Sequence, residues 1–143
     1  RENLLSIIRR DRLEQRVKLI DFQDNPFPYM AAANAGVLGS HWEGLPNVGL
    51  EALALGKTVI ATGECGGLVG MKLRYMIDDL IIAKTADQFI AEMDQVAKKQ
   101  TPSKARSDHD ISAYNPRIAK SSLPAEFDIK TVISQYKTTI FGL

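Results

Sequence analysis

The chain has 143 residues, 45% apolar and 24% charged, with a net charge of +1. That is one domain by length, able to bury on the order of 70% of the surface its unfolded form would expose. The near-neutral total gives no reason to expect nucleic acid or another polyanion as partner. A single cysteine, Cys65, excludes an internal disulfide and fits a reducing, cytoplasmic compartment. No apolar run reaches the roughly 18 residues of a membrane span, and Arg1-Glu2-Asn3 has no signal-peptide pattern.

Taken in chain order, residues 2–14 read as an amphipathic helix with Leu4, Leu5, Ile8 and Leu13 on one side. Arg9, Arg10, Arg12 and Arg16 make its other side positive, which suits a solvated surface first and peripheral contact with anionic lipid second. Val17–Asp21 has the composition of a short buried strand. Asn25 and Pro26 begin a helix, Asn as cap and Pro at the first helical position, which Tyr29–Asn34 continue. Gly36–Ser40 reads as a strand, and Asn47–Leu55 as a helix closed by Gly56 in the left-handed conformation. Thr58–Thr62 is a further strand, Gly63–Gly70 a glycine-rich loop and Leu80–Ala83 a short strand. Thr85 caps a helix running to about Lys98, with Ile90, Met93 and Val96 facing inward.

The expected organisation is thus a single domain with a core over 1–99, an exposed connection over 100–123 and a closing helix over 124–143. About four apolar strands alternating with helices predict a Rossmann-like parallel sheet covered by helices on both faces. In such sheets ligands bind at the carboxyl ends of the strands, beside helix N-termini whose free N–H groups attract phosphate. The segment His41-Trp42-Glu43-Gly44-Leu45-Pro46-Asn47-Val48-Gly49-Leu50-Glu51 falls at such a place, with Glu43 and Glu51 eight positions apart. An anion held between two hydroxyl-accepting carboxylates describes a nucleotide sugar.

This segment resembles the Glu-x7-Glu motif of retaining GT-B glycosyltransferases of the GT4, or group 1, family. The resemblance also rests on Val17-Lys18-Leu19-Ile20-Asp21-Phe22, Asn25-Pro26-Phe27-Pro28-Tyr29-Met30, Val37-Leu38-Gly39-Ser40 and Glu51-Ala52-Leu53-Ala54-Leu55-Gly56, in family order and spacing. It is specific over about residues 15–68. It implies the C-terminal, donor-binding domain of a GT-B enzyme lacking its first strands, as the absence of Met at Arg1 also suggests. Such an enzyme transfers a sugar from a UDP- or GDP-sugar to a glycan or lipid-linked acceptor, without a metal or other cofactor. The acceptor would be bound by a missing N-terminal domain, so this piece alone is expected to be inactive.

Carried over by position, Glu43 is the catalytic glutamate on the donor sugar. Gly44, Leu45, Pro46, Asn47 and Val48 wrap the sugar and diphosphate, Glu51 holds the ribose hydroxyls, and Phe22 and Gln23 hold the base. Each has a structural alternative. Glu43 reads also as a turn residue, Glu51 as a helix-dipole partner, Asn47 as an N-cap and Phe22 as a core residue. Trp42 and Tyr29 read as packing residues before stacking platforms. His41 is a weak phosphate or sugar contact, and Cys65 a small filler. The sequence departs from the family at Thr62–Met76, where Glu64 or the Gly66 and Gly67 amides could still face the donor without an assigned place, and where Lys72 and Arg74 read as a solvated face first and as phosphate partners second. A non-catalytic nucleotide-sugar-binding module and a GT-B epimerase are the alternative functions.

Overall fold

The computed structural model of the chain describes residues 1–99, 122–124 and 127. The expected connection over 100–123 and closing helix over 124–143 otherwise lie outside the described residues. Three strands, β1 (Ala35–Leu38), β2 (Thr58–Thr62) and β3 (Leu80–Ala83), form a parallel sheet in the order β1-β2-β3. Gly36 stands opposite Val59, and Ile60 opposite Ile81. The helices are α1 (Glu2–Arg10), α2 (Phe27–Ala32), α3 (Asn47–Ala54), α4 (Gly66–Tyr75) and α5 (Ala86–Lys99).

β2 explains why the sheet is covered on both sides. Its consecutive residues Val59, Ile60 and Ala61 are all buried, although neighbours along a strand point to opposite faces. Val59 and Ala61 join Ala52 and Leu53 of α3, Cys65, and Leu68 and Met71 of α4 in one apolar cluster. Ile60 lies outside that cluster, as does the buried Val96 of α5, the helix that packs along β2 and β3. Helix α3 sits on β1 and β2, and α4 on β3. A Rossmann-like α/β arrangement follows, with three strands among the described residues against the expected four.

Local chemistry fixes most boundaries. Gly56 adopts φ 65° past the end of α3. Its N–H reaches the Leu53 carbonyl at 2.9 Å while Lys57 N–H reaches Ala52 at 3.0 Å, a Schellman closure that favours glycine at this position. Thr85 Oγ1 accepts the Gln88 N–H at 3.1 Å, and Gln88 Oε1 accepts the Lys84 N–H at 2.9 Å, so α5 starts where expected. Asn25 Oδ1 accepts the Phe27 N–H at 3.2 Å, but Pro26 rather than Asn25 is the N-cap of α2, and Phe27 rather than Pro26 its first helical residue.

Five further expectations need correction. The first helix ends at Arg10, not 14, because Arg12 takes a left-handed φ of 54° and Leu13 N–H closes back on Ile8 at 2.8 Å. Val17–Asp21 is not a strand. None of the described strands pairs with it, and Val17 and Ile20 are exposed after a turn onto the Leu13 carbonyl. Residues 66–70 are helical, not loop. Glycine lowers helix propensity by about 1 kcal/mol, but burial of Leu68 and Met71, one turn apart, outweighs it. Ile90 (59% exposed) and Met93 (42%) face outward on α5, leaving Val96 as its buried residue. Phe22 and Trp42, at 89% and 87% exposure, are not core residues.

The far end of the sheet, where strands begin, carries the short described piece of the C-terminal region. Ser122 N–H donates to the Leu53 carbonyl at 2.9 Å, Ser122 Oγ donates to Asp79, and the Phe127 ring meets Tyr75 edge-on at 5.8 Å. No helix among the described residues is long and apolar enough to cross a membrane.

Leu53, fully buried between α3 and the sheet, is the test of this core. Leu53→Ala is expected to lower stability by about 2–5 kcal/mol. Urea unfolding reads this as a lower midpoint at an unchanged slope; a loss below about 1 kcal/mol would contradict the packing described.

Candidate functional site

The glutamate loop, residues 39–46, leaves the carboxyl end of β1 and enters α3. A second connection, 63–65, leaves the adjacent end of β2 and enters α4. Parallel neighbours must deliver both connections to the same edge of the sheet, and here the two are joined. Glu43 and Cys65 form an isolated parallel bridge. Glu43 N–H donates to the Glu64 carbonyl at 3.3 Å, and Gly66 N–H donates to the Glu43 carbonyl at 3.1 Å. Gly67 N–H reaches the Gly44 carbonyl at 2.6 Å. Thr62 Oγ1 donates to the Ser40 carbonyl at 2.6 Å, and Ser40 Oγ donates to Glu43 Oε1 at 3.3 Å.

The Gly66 and Gly67 amides therefore do not point at open solvent. These first N–H groups of α4, which have no partner inside the helix, are met by carbonyls of the glutamate loop. Gly67 is the point of closest approach. A Cβ there would stand 2.5 Å from the Gly44 carbonyl oxygen and 2.8 Å from the Leu45 Cβ, so any side chain would force the loop away.

Pro46, not Asn47, is the N-cap of α3; Asn47 is its first helical residue, and no side chain caps it. Pro46 is buried, and its carbonyl accepts the Gly49 N–H at 3.0 Å. That leaves exposed Asn47 and Val48 in the first turn, where backbone N–H groups lack intrahelical partners. Buried Gly49 fits closely against Leu38 and Leu68, fixing α3 to both β1 and α4. Glu51 follows one turn later, half-buried. Val48 also lines an apolar groove of about 130 Å³ beside edge strand β1, with Met30, Ala33 and Val37.

The structure thus gathers Glu43, Gly44, Leu45, Pro46, Asn47, Val48 and Glu51 at the ends of β1 and β2, around the start of α3. Phe22 and Gln23 lie on the irregular segment between α1 and α2. Phe22 is nearly fully exposed, while the Gln23 amide donates to the Phe22 carbonyl at 3.1 Å and accepts from the Tyr29 hydroxyl at 3.4 Å. His41 is exposed. Lys72 and Arg74 sit in the last turn of α4, away from the loop. Lys72 Nζ donates to the Ile77 carbonyl at 2.5 Å, and the Arg74 guanidinium lies 5.3 Å over the Tyr75 ring.

Ser40 and Thr62 are the residues that sequence reasoning missed, and Gly67, noted there only for its amide, matters here for lacking a side chain. Their signal was faint: a hydroxyl three positions before the glutamate, another at the end of the next strand, and paired glycines after it.

A parallel α/β sheet with a glutamate-bearing loop at its carboxyl edge is an arrangement that the comparisons with known proteins assign to a family. The chain belongs to the group 1 glycosyl transferases, whose family model matches residues 1–99. It is 40% identical over 62 residues to an uncharacterized glycosyltransferase of Methanocaldococcus jannaschii, a stretch covering 43% of this chain and 15% of that protein. It is 36% identical over 67 residues to the N-acetylgalactosamine-N,N'-diacetylbacillosaminyl-diphospho-undecaprenol 4-alpha-N-acetylgalactosaminyltransferase of Campylobacter jejuni, covering 47% of this chain and 18% of that enzyme. The matches thus span less than a fifth of either relative's length. No solved structure matches the chain significantly.

Two glycines of α4 separate the roles. Gly67→Ala is expected to destabilise the protein by about 1–3 kcal/mol through the clash with Gly44. Gly70→Ala, with open space around it, should add about 0.5–1 kcal/mol by its better helix propensity. Chemical denaturation of the two variants checks both signs; equal effects would contradict the close approach at Gly67.

Proposed function

We propose that this chain is the donor-binding part of a retaining glycosyltransferase, taking a sugar from a UDP- or GDP-sugar to a glycan or lipid-linked acceptor. The observation that carries this reading is the disposition of two glutamates about the start of α3: Glu43 precedes it on a loop anchored to the neighbouring strand end, and Glu51 follows one turn into the helix. Glu43 takes the hydroxyls of the donor sugar and Glu51 the vicinal ribose hydroxyls, each carboxylate accepting two charge-assisted hydrogen bonds. The diphosphate lies between them, over the N–H groups and positive dipole end of α3, which offset its charge without a metal. Gly44 and Leu45 shape the sugar side, Pro46 starts the helix, and Asn47 and Val48 present its first amides. Phe22 and Gln23 face the base.

In the transfer, the bond between the anomeric carbon and the diphosphate oxygen breaks, and the nucleoside diphosphate leaves with the electron pair. The acceptor hydroxyl attacks from the same face, and its proton passes to the departing phosphate, so configuration is retained. The α3 N-terminus favours this step by stabilising negative charge as it develops. The acceptor belongs to parts of the enzyme beyond this sheet. The diphospho-undecaprenol in the Campylobacter relative's name supports a lipid-linked acceptor, and the arginines of α1 suit an enzyme working beside an anionic membrane face.

A ligand-observed NMR titration with UDP, GDP, ADP and their sugar conjugates tests the reading. One nucleotide should show saturation transfer to its ribose. Glu51→Ala should weaken that nucleotide about tenfold or more, the scale of a charge-assisted hydrogen-bond pair. Binding that ignores Glu51→Ala would contradict the assignment, and interconversion of the bound sugar would favour the epimerase.

A further inference from the structure

We propose that Ser40 and Thr62 are positioning residues that aim the Glu43 carboxylate. The bridge to Cys65 and the bonds to Glu64 and Gly66 fix the backbone of Glu43, but they leave its side chain free to rotate. Among the described residues one hydrogen bond addresses the carboxylate itself, that from the Ser40 hydroxyl at 3.3 Å from Oε1. Ser40 is in turn held by Thr62, whose hydroxyl donates to its carbonyl at 2.6 Å. A hydroxyl has a single proton, so with that bond made the Cys65 thiol at 3.8 Å is the donor to Thr62 Oγ1. The order of support runs from buried Cys65 to Thr62, to Ser40, and out to Glu43.

The arrangement has a physical purpose. A glutamate side chain loses much rotamer freedom when a ligand fixes it, and a hydrogen bond that selects the binding rotamer beforehand removes part of that cost. Thr62 belongs to β2, the best buried strand, so the aim of Glu43 is referred to the most rigid part of the sheet. Neither hydroxyl needs to touch a ligand. The consequence for binding rests on the assignment of Glu43 to the donor sugar.

Two readouts on the isotopically labelled chain test this. The first needs no ligand: three-bond couplings report whether Glu43 χ1 holds one rotamer. Wild type should show a fixed value, Ser40→Ala and Thr62→Val averaged values, and Ser40→Thr and Thr62→Ser the wild-type value. The second compares UDP with UDP-N-acetylgalactosamine. Ser40→Ala should weaken the sugar conjugate about tenfold and leave UDP unchanged. Couplings that stay fixed in both Ser40→Ala and Thr62→Val would overturn the proposal, as would equal weakening of UDP and its conjugate, which marks a merely structural role. If the couplings move as expected while wild type binds the two ligands alike, positioning stands and the assignment of Glu43 to the sugar falls.

Discussion

The structure depends on one joint: the parallel bridge between Glu43 and Cys65, where the connections leaving two neighbouring strands are stitched together. Loops at a sheet edge ordinarily move more than the strands they extend. Here the backbone on either side of the bridge is hydrogen-bonded at Glu43 and Gly44, and a threonine hydroxyl ties Ser40 from the side. The helix α4 makes the joint possible because its unpaired first amides need carbonyls, and the glutamate loop supplies them. A requirement of helix ends thereby becomes the anchor of the glutamate loop. The absence of a side chain at Gly67 is what lets the two segments meet.

This joint also assigns different tasks to two helix N-termini at the same edge. The amides that open α4 are engaged with protein carbonyls, whereas the first turn of α3 begins after a buried proline and leaves Asn47 and Val48 at the surface. Of these two, α3 is the one whose first turn is open to meet an anion, and it carries Glu51 one turn along. The rest of the fold serves this placement. Leu53 and Ala52 seat α3 on the sheet, Gly49 allows its close approach to Leu38 and Leu68, and the Schellman closure at Gly56 returns the chain into β2.

Much of this was legible in the sequence. Thr58–Thr62 and Leu80–Ala83 are strands at the expected bounds, because short apolar β-branched runs between turn signals leave little choice. Gly56 and Thr85 announced their caps by chemistry that acts locally. What was not legible depended on partners distant in the chain. Val17–Asp21 has strand composition, but none of the described strands pairs with it. The paired glycines of α4 argue against helix until Leu68 and Met71 are seen to be buried. Glu43 and Glu51 stood out, being carried by a recognisable block, but Ser40 and Thr62 did not. Their roles exist only once strands β1 and β2 lie side by side, 22 residues apart in sequence.

The central claim, that one ligand spans Glu43 and Glu51 across the start of α3, is tested most directly by mapping backbone amide shifts of the labelled chain on adding a nucleotide sugar. The account predicts that residues 43–51 shift together at a single affinity, while Gly56, Asp78 and Ser122 at the opposite end of the sheet do not move. Shifts centred on that far end, or Glu43 and Glu51 responding at different affinities, would contradict it.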